Sequence, residues 1–170
     1  MTDRLPPQDL DAEMALLGSM MMDRACIDEV IPALPEGAIA FFLPEHRLLY
    51  AALVECHAAG KPMDLIMVSD YLRERGLLEK IGGQEYMIQL AESFAEWANA
   101  SQYAGLVRKA HQCRECIRVA DKFSAAAYQP MADAAVLCAD AQAEIDAILK
   151  QPASERMVEI RSMFLRLQAM

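Results

Sequence analysis

Residues 60–90, GKPMDLIMVSDYLRERGLLEKIGGQEYMIQL, constrain the chain most, because helix starts and stops are written into them. Asp64 stands directly before Leu65, where its carboxylate can accept the free N–H groups of a first helical turn. Leu65, Val68 and Leu72 then recur at three- and four-residue spacing, so they share one helix face. Gly76 suits the left-handed residue that ends such a helix, and Leu77 can fold back onto the last turn. Gly82-Gly83 interrupts the chain again, and Tyr86, Met87 and Leu90 set up the next apolar stripe. Local physics gives a compact pair of short helices here and no more.

The flanks are helical by the same signals. Pro6-Pro7 blocks a helix until Asp9 can cap one, and Leu10, Met14, Leu17 and Met21 follow on a single face. Gly18 sits inside that helix at a cost of about 1 kcal/mol against Ala, so a neighbouring helix is expected to pack close there. Asp23 caps a short helix that Pro32 and Pro35 terminate. Pro44 suits the first turn of the next helix, which carries Leu49, Ala52, Leu53 and Cys56 inward and stops at Gly60. Asn99 with Gln102 approximates a capping box for a long helix from about 100 to 128, on Tyr103, Leu106, Ala110, Cys113, Ile117 and Ala120. Pro130 breaks it, and a second helix runs to about 150 on Leu137, Ala141, Ile145 and Ile148. So short a connection makes the two antiparallel. After Pro152, Ser154 can cap a last helix whose seam is Met157, Ile160, Phe164 and Leu167. The expected architecture is all-α: a head over 1–98, a helical hairpin over 99–150 and a separate helix over 151–170.

Composition agrees and excludes several functions. Alanine and twelve methionines supply much of a 55% hydrophobic share, while aromatics are only 6%, which favours helix over sheet. The methionines read as helix-core filling. A net charge of −9 argues against a chain that grips a phosphate backbone by itself. Five cysteines without disulfide-like spacing fit reduced thiols in a cytoplasm. There is neither a membrane-length apolar run nor a basic-then-apolar leader.

Candidate chemistry is sparse. His111 with Cys113 and Cys116 suggests a metal or redox site, but zinc needs four ligands and the Cys-x-x-Cys lies mid-helix, so small buried thiols are expected instead. Arg108, His111, Arg114, Arg118 and Lys122 form a basic stripe, read as a solvated face partly neutralised by Glu115 and Asp121. Acidic residues are scattered, with no second catalytic group beside them. The sequence contains no G-x-x-x-x-G-K-[ST] loop to cradle a nucleoside triphosphate.

Pro62, Asp64, Leu72, Gly76, Leu78, Gly82, Gly83, Tyr86 and Leu90, in that order, resemble the N-terminal domain of DnaB-type replicative DNA helicases. Pro6-Pro7, Ala12, Glu13, Leu17 and Gly18 match the opening of that family, and Phe41, His46 and Tyr50 follow its Phe-x-x-x-x-His-x-x-x-Tyr pattern. The resemblance spans about 4–150. It implies a collar domain without catalysis of its own, in which the hairpin pairs copies into dimers and a hexameric ring and on which primase and the helicase loader dock. ATP and Mg then belong to a C-terminal RecA-like motor domain, expected to lie beyond this chain, and DNA is met only through the full-length helicase.

Tyr103, Ile117, Leu137 and Ile145 are the expected self-association residues. Met157, Ile160, Phe164 and Leu167 are expected to bind a partner, which the resemblance implies is a neighbouring subunit's motor domain. Two alternatives stand beside this: a free-standing phage- or plasmid-type protein of the same fold that modulates a helicase, and a helix-turn-helix regulator built on 65–75 and 84–94. The charge and the acidic Glu85 and Glu92 weigh against the second.

Overall fold

The computed structural model describes residues 4–93 and 99–150, with the side chain of Lys150 excepted. The described residues form an all-α fold: α1 (Leu10–Met22), α2 (Arg24–Ala33), a 3₁₀ turn (Gly37–Ala40), α3 (Pro44–Ala58), α4 (Leu65–Glu74), α5 (Leu78–Ile81), α6 (Gly83–Glu92), α7 (Ala100–Ala127) and α8 (Ala134–Lys150). The terminal seam of Met157, Ile160, Phe164 and Leu167 lies outside the described residues.

α1 is the central element. Asp9 caps it by accepting the Ala12 N–H at 3.0 Å. Leu16, Leu17, Met20 and Met21 are all fully enclosed, and consecutive residues on a helix point in different directions, so α1 is surrounded by protein. It packs against α2, α3, α6 and α7. The approach of α6 is closest at Gly18, where an added Cβ would stand 2.3 Å from the Leu90 carbonyl oxygen.

The other caps follow the residues. Asp23 starts α2 with a bond from the Ala25 N–H at 2.8 Å. α2 ends one residue past Pro32, which lacks the N–H that a helix uses at that position and so helps to stop it. Pro44 opens α3, whose Leu49, Ala52, Leu53 and Cys56 enter the core. Asp64 opens α4 by accepting the Met67 N–H at 2.8 Å. Gly76, at φ +65°, closes α4: its N–H reaches the Arg73 carbonyl at 3.0 Å and the Leu77 N–H reaches Leu72 at 2.9 Å. That bond pair is the Schellman pattern, and it carries Leu77 into the core.

α7 departs from the sequence reading in two respects. Asn99 holds its N-cap position with φ −110° and ψ 5° and makes no side-chain cap bond, because it lacks the extended conformation a capping side chain needs. The buried face near its start is Ala100, Ala104, Val107 and His111, not Tyr103, Leu106 and Ala110. One residue of offset turns a helix by about 100°. Small side chains at Ala100 and Ala104 let α7 lie against α1, and Leu106 is left 45% exposed.

Beyond His111 the helix leaves that core and meets α8. Gln112 reaches the Ile148 carbonyl and Arg118 reaches Glu144, so the two helices run antiparallel. Val119 and Ile148 are buried in the hairpin. Asp133 caps α8 through the Ala135 N–H at 2.8 Å.

Replacing Gly18 by Ala is expected to lower stability by about 1–3 kcal/mol, since α6 must retreat. A lowered urea midpoint with unchanged slope checks this, and a wild-type midpoint would remove the close-approach account.

Candidate functional site

A buried polar constellation joins residues far apart in sequence. Glu13 on α1 and His46 on α3 are 1% and 0% exposed. One Glu13 oxygen accepts the Phe42 N–H at 2.6 Å and the other lies 2.6 Å from His46 Nδ1. A carboxylate that accepts on both oxygens places a proton on Nδ1, and in the neutral imidazole Nε2 is then an acceptor. The Tyr86 hydroxyl of α6, 2.6 Å from Nε2, then donates to it. Every member is satisfied in that direction. The Phe41 ring stands edge-on to His46, and the Tyr86 ring lies nearly parallel to it at 6.0 Å.

This set is a structural tie rather than a reaction centre. The nearest opening, about 390 Å³, is lined by Tyr86, Leu43, Glu45, Ile81 and Glu85 among others, and His46 does not reach it. Among the described residues, no group of three or more His, Cys, Asp or Glu side chains is placed to hold a metal ion. His111 is buried whereas Cys113 and Cys116 are exposed, so the three face different surroundings. The expectation that these two cysteines are small buried thiols is thereby corrected.

The basic stripe of α7 divides: Arg118 and Lys122 are the solvated, neutralised face expected, whereas Arg108 and Arg114 turn inward. Arg108 donates to Glu36 at 3.0 Å, and Glu36 is fully enclosed. Arg114 donates to the Pro7 and Ala40 carbonyls and lies over the Phe42 ring. Burial lowers its guanidinium from the ordinary value. Arg118 and Lys122 both bond Glu144, and the Lys122 ammonium in the first place holds that carboxyl below its ordinary value. Arg108, Arg114, Arg118 and Lys122 each have an acceptor within the chain, so the stripe is no ladder of free charge for a nucleic acid.

Among the described residues, the outer half of the hairpin remains open. A groove of about 500 Å³ runs between Cys116, Val119 and Phe123 of α7 and Cys138, Ala141 and Ile145 of α8. Of the expected self-association residues, Ile145 lines it. Ile117, 47% exposed, stands on the same stretch of α7, and Leu137 lines an adjoining hollow. Tyr103 is not with them: it is half-buried against the core of the N-terminal helices. Phe123, Cys116 and Cys138 were missed, although continuing the apolar spacing on both helices reaches them.

A family model described as the DnaB-like helicase N terminal domain matches residues 5–109. The chain belongs to that family. The replicative DNA helicase DnaB of Mycobacterium leprae is 33% identical over 162 residues, covering 94% of this chain and 26% of that protein. DnaB of Nostoc sp. is 29% identical, covering 94% of this chain and 18% of its own length. The chain therefore spans about a quarter or less of these DnaB relatives. Among solved structures, the N-terminal domain of DnaB helicase from Mycobacterium tuberculosis superposes with a TM-score of 0.75 at 32% identity, covering 84% of this chain and 99% of that one. A structure described as a DnaB-like replicative helicase and its interactions with primase shares the fold, with a TM-score of 0.63 at 22% identity over 92% of this chain and 35% of that one. DnaB-like N-terminal domains lie outside the ATPase motor of their family. No helix among the described residues is long and apolar enough to cross a membrane.

Replacing Tyr86 by Phe removes the donor to His46 Nε2 and is expected to cost about 1–3 kcal/mol, read as a lowered urea midpoint. Alkali should act on the same core. Burial raises the Tyr50, Tyr71 and Tyr86 phenols above their ordinary 10.0, and it pushes the Cys26 thiol from 9.0 up to about 11. Groups raised in the folded state contribute stability in full below their unfolded values and lose it as pH climbs through the folded ones. The urea midpoint should thus fall from about pH 9 upward, and a midpoint that holds or rises to about pH 11 contradicts this.

Proposed function

We propose that this chain is the collar domain of a replicative DNA helicase, which assembles copies through its hairpin and offers a platform to primase and the helicase loader, with no catalysis of its own. The observation that carries the reading is an apolar groove on α7 and α8 that no described residue covers, in a domain of the DnaB-like family. Contiguous apolar surface of this kind marks an interface. A second copy is the occupant that fits. The charges flanking the groove, Arg118, Lys122 and Glu144, already neutralise one another, so the face needs no oppositely charged partner and can meet its own image across a two-fold axis.

The reading divides the chain into a head (1–98), the hairpin (99–150) and a linker helix (151–170). It assigns Ile117, Leu137 and Ile145 to self-association. It assigns Met157, Ile160, Phe164 and Leu167 to the motor domain of a neighbouring subunit. Docking of primase is supported by the shared fold of the helicase structure described with primase.

Substituting Ile117 by Asp puts a carboxylate on the hairpin's exposed face while leaving the N-terminal core untouched. We expect association weakened by about 2 kcal/mol, roughly thirtyfold in dissociation constant, with helicity retained. Sedimentation across a concentration series reads both. A wild-type chain that stays monomeric at high micromolar concentration, or a variant that assembles as wild type does, would overturn the proposal.

A further inference from the structure

The five cysteines fall into two sets. Cys26 and Cys56 are buried, and burial raises both thiols above their ordinary value, which keeps them inert. Cys113, Cys116 and Cys138 are exposed, and all three stand on the hairpin. Cys116 of α7 and Cys138 of α8 line the same groove from opposite sides, among Val119, Phe123, Ala141 and Ile145. Cys113, one turn earlier on α7, is outside that lining.

We propose that Cys116 and Cys138 form a modification site for low-molecular-weight disulfides, and that the mixed disulfide they form controls whether the hairpin face can be covered. This rests on the self-association reading above and adds its regulation. The chemistry is thiol–disulfide exchange. The thiolate of Cys116 or Cys138 attacks one sulfur of a small disulfide, a protein–S–S bond forms, and the original S–S bond breaks. The departing thiolate takes up the proton that the cysteine released. One cysteine is oxidised to the mixed disulfide, the small disulfide is reduced to one free thiol, and no other reactant is needed. A thiol reductant runs the exchange backward.

The consequence follows from where the sulfurs sit. A glutathionyl group brings carboxylates and an ammonium into a groove whose walls are apolar. Covering it with a second copy would strip water from those charges without partners to replace it. The modified chain therefore stays apart. The converse also holds: once a second copy covers the groove, both thiols are shielded and react slowly.

Oxidised glutathione is the probe, applied to the whole chain, with peptide mass mapping and sedimentation as readouts. Adducts should gather on Cys116 and Cys138 while Cys26 and Cys56 stay free. Adduct-bearing protein should shift from dimer to monomer, and dithiothreitol should restore the dimer. Reaction at Cys116 and Cys138 should be slower in concentrated than in dilute protein. Each variant is compared with its own reduced state. C113S should keep the shift, and the shift should vanish in the C116S/C138S chain. Adduct-bearing wild type that sediments as its reduced form does, or dissociation that follows Cys113 alone, overturns the inference and leaves self-association standing. Wild type that never dimerises in dithiothreitol overturns both.

Discussion

A carboxylate buried in the central helix is the constraint on which the rest of the structure depends. Glu13 is 1% exposed, so both oxygens must find donors. They find them in the Phe42 N–H just before α3 and in His46 one turn inside it. His46 hands the requirement on to Tyr86 of α6. Satisfying one charge therefore fixes three helices relative to one another. A buried ionic group seldom adds stability over a well-packed apolar one, but breaking it exposes an uncompensated charge. The value of such a tie lies in rejecting other registers. Gly18 and Leu90 reinforce the choice, each about a turn further along α1 and α6 from Glu13 and Tyr86. Only one helix register lets both contacts form.

Much of this was legible in the sequence, and physics says which part. Caps and glycine stops depend on neighbours within a few residues, so Asp9, Asp23, Asp64 and Gly76 announced their elements directly. Gly18 announced a close approach because a helical glycine needs a reason. The tie was not legible as a tie. Glu13 and His46 are 33 residues apart and His46 and Tyr86 40 apart, distances over which no periodicity speaks. All three residues were singled out by resemblance, yet nothing in their spacing says that they touch.

The face of α7 was misjudged for a different reason. A single apolar stripe along the 28 residues fits the spacing, but the helix serves two environments. Its start lies against α1 and α2, where small residues win because backbones approach closely. Among the described residues its end packs on α8, which covers one side and leaves Ile117 and Phe123 partly open. Hydrophobicity ranks residues by size and misses which side the small ones serve. The basic stripe misled likewise, since composition cannot tell a solvated arginine from one committed to carbonyls.

Those committed arginines connect the two halves of the molecule. Arg114 grips the Ala40 carbonyl and overlies Phe42, and Arg47 of α3 donates to the Phe41 carbonyl at 2.7 Å. The 40–42 segment thus meets the hairpin helix through the Ala40 carbonyl and the Phe42 ring, and meets Glu13 through the Phe42 N–H. Arg108 adds a second grip on α7 at the enclosed Glu36, just before the same segment. The root of α7 is held at points separated by more than one helical turn, which fixes both its position and its rotation. A helix held that way cannot swivel independently of the buried tie. The direction in which the hairpin presents its groove is accordingly set by the same carboxylate that sets the register of α1, α3 and α6.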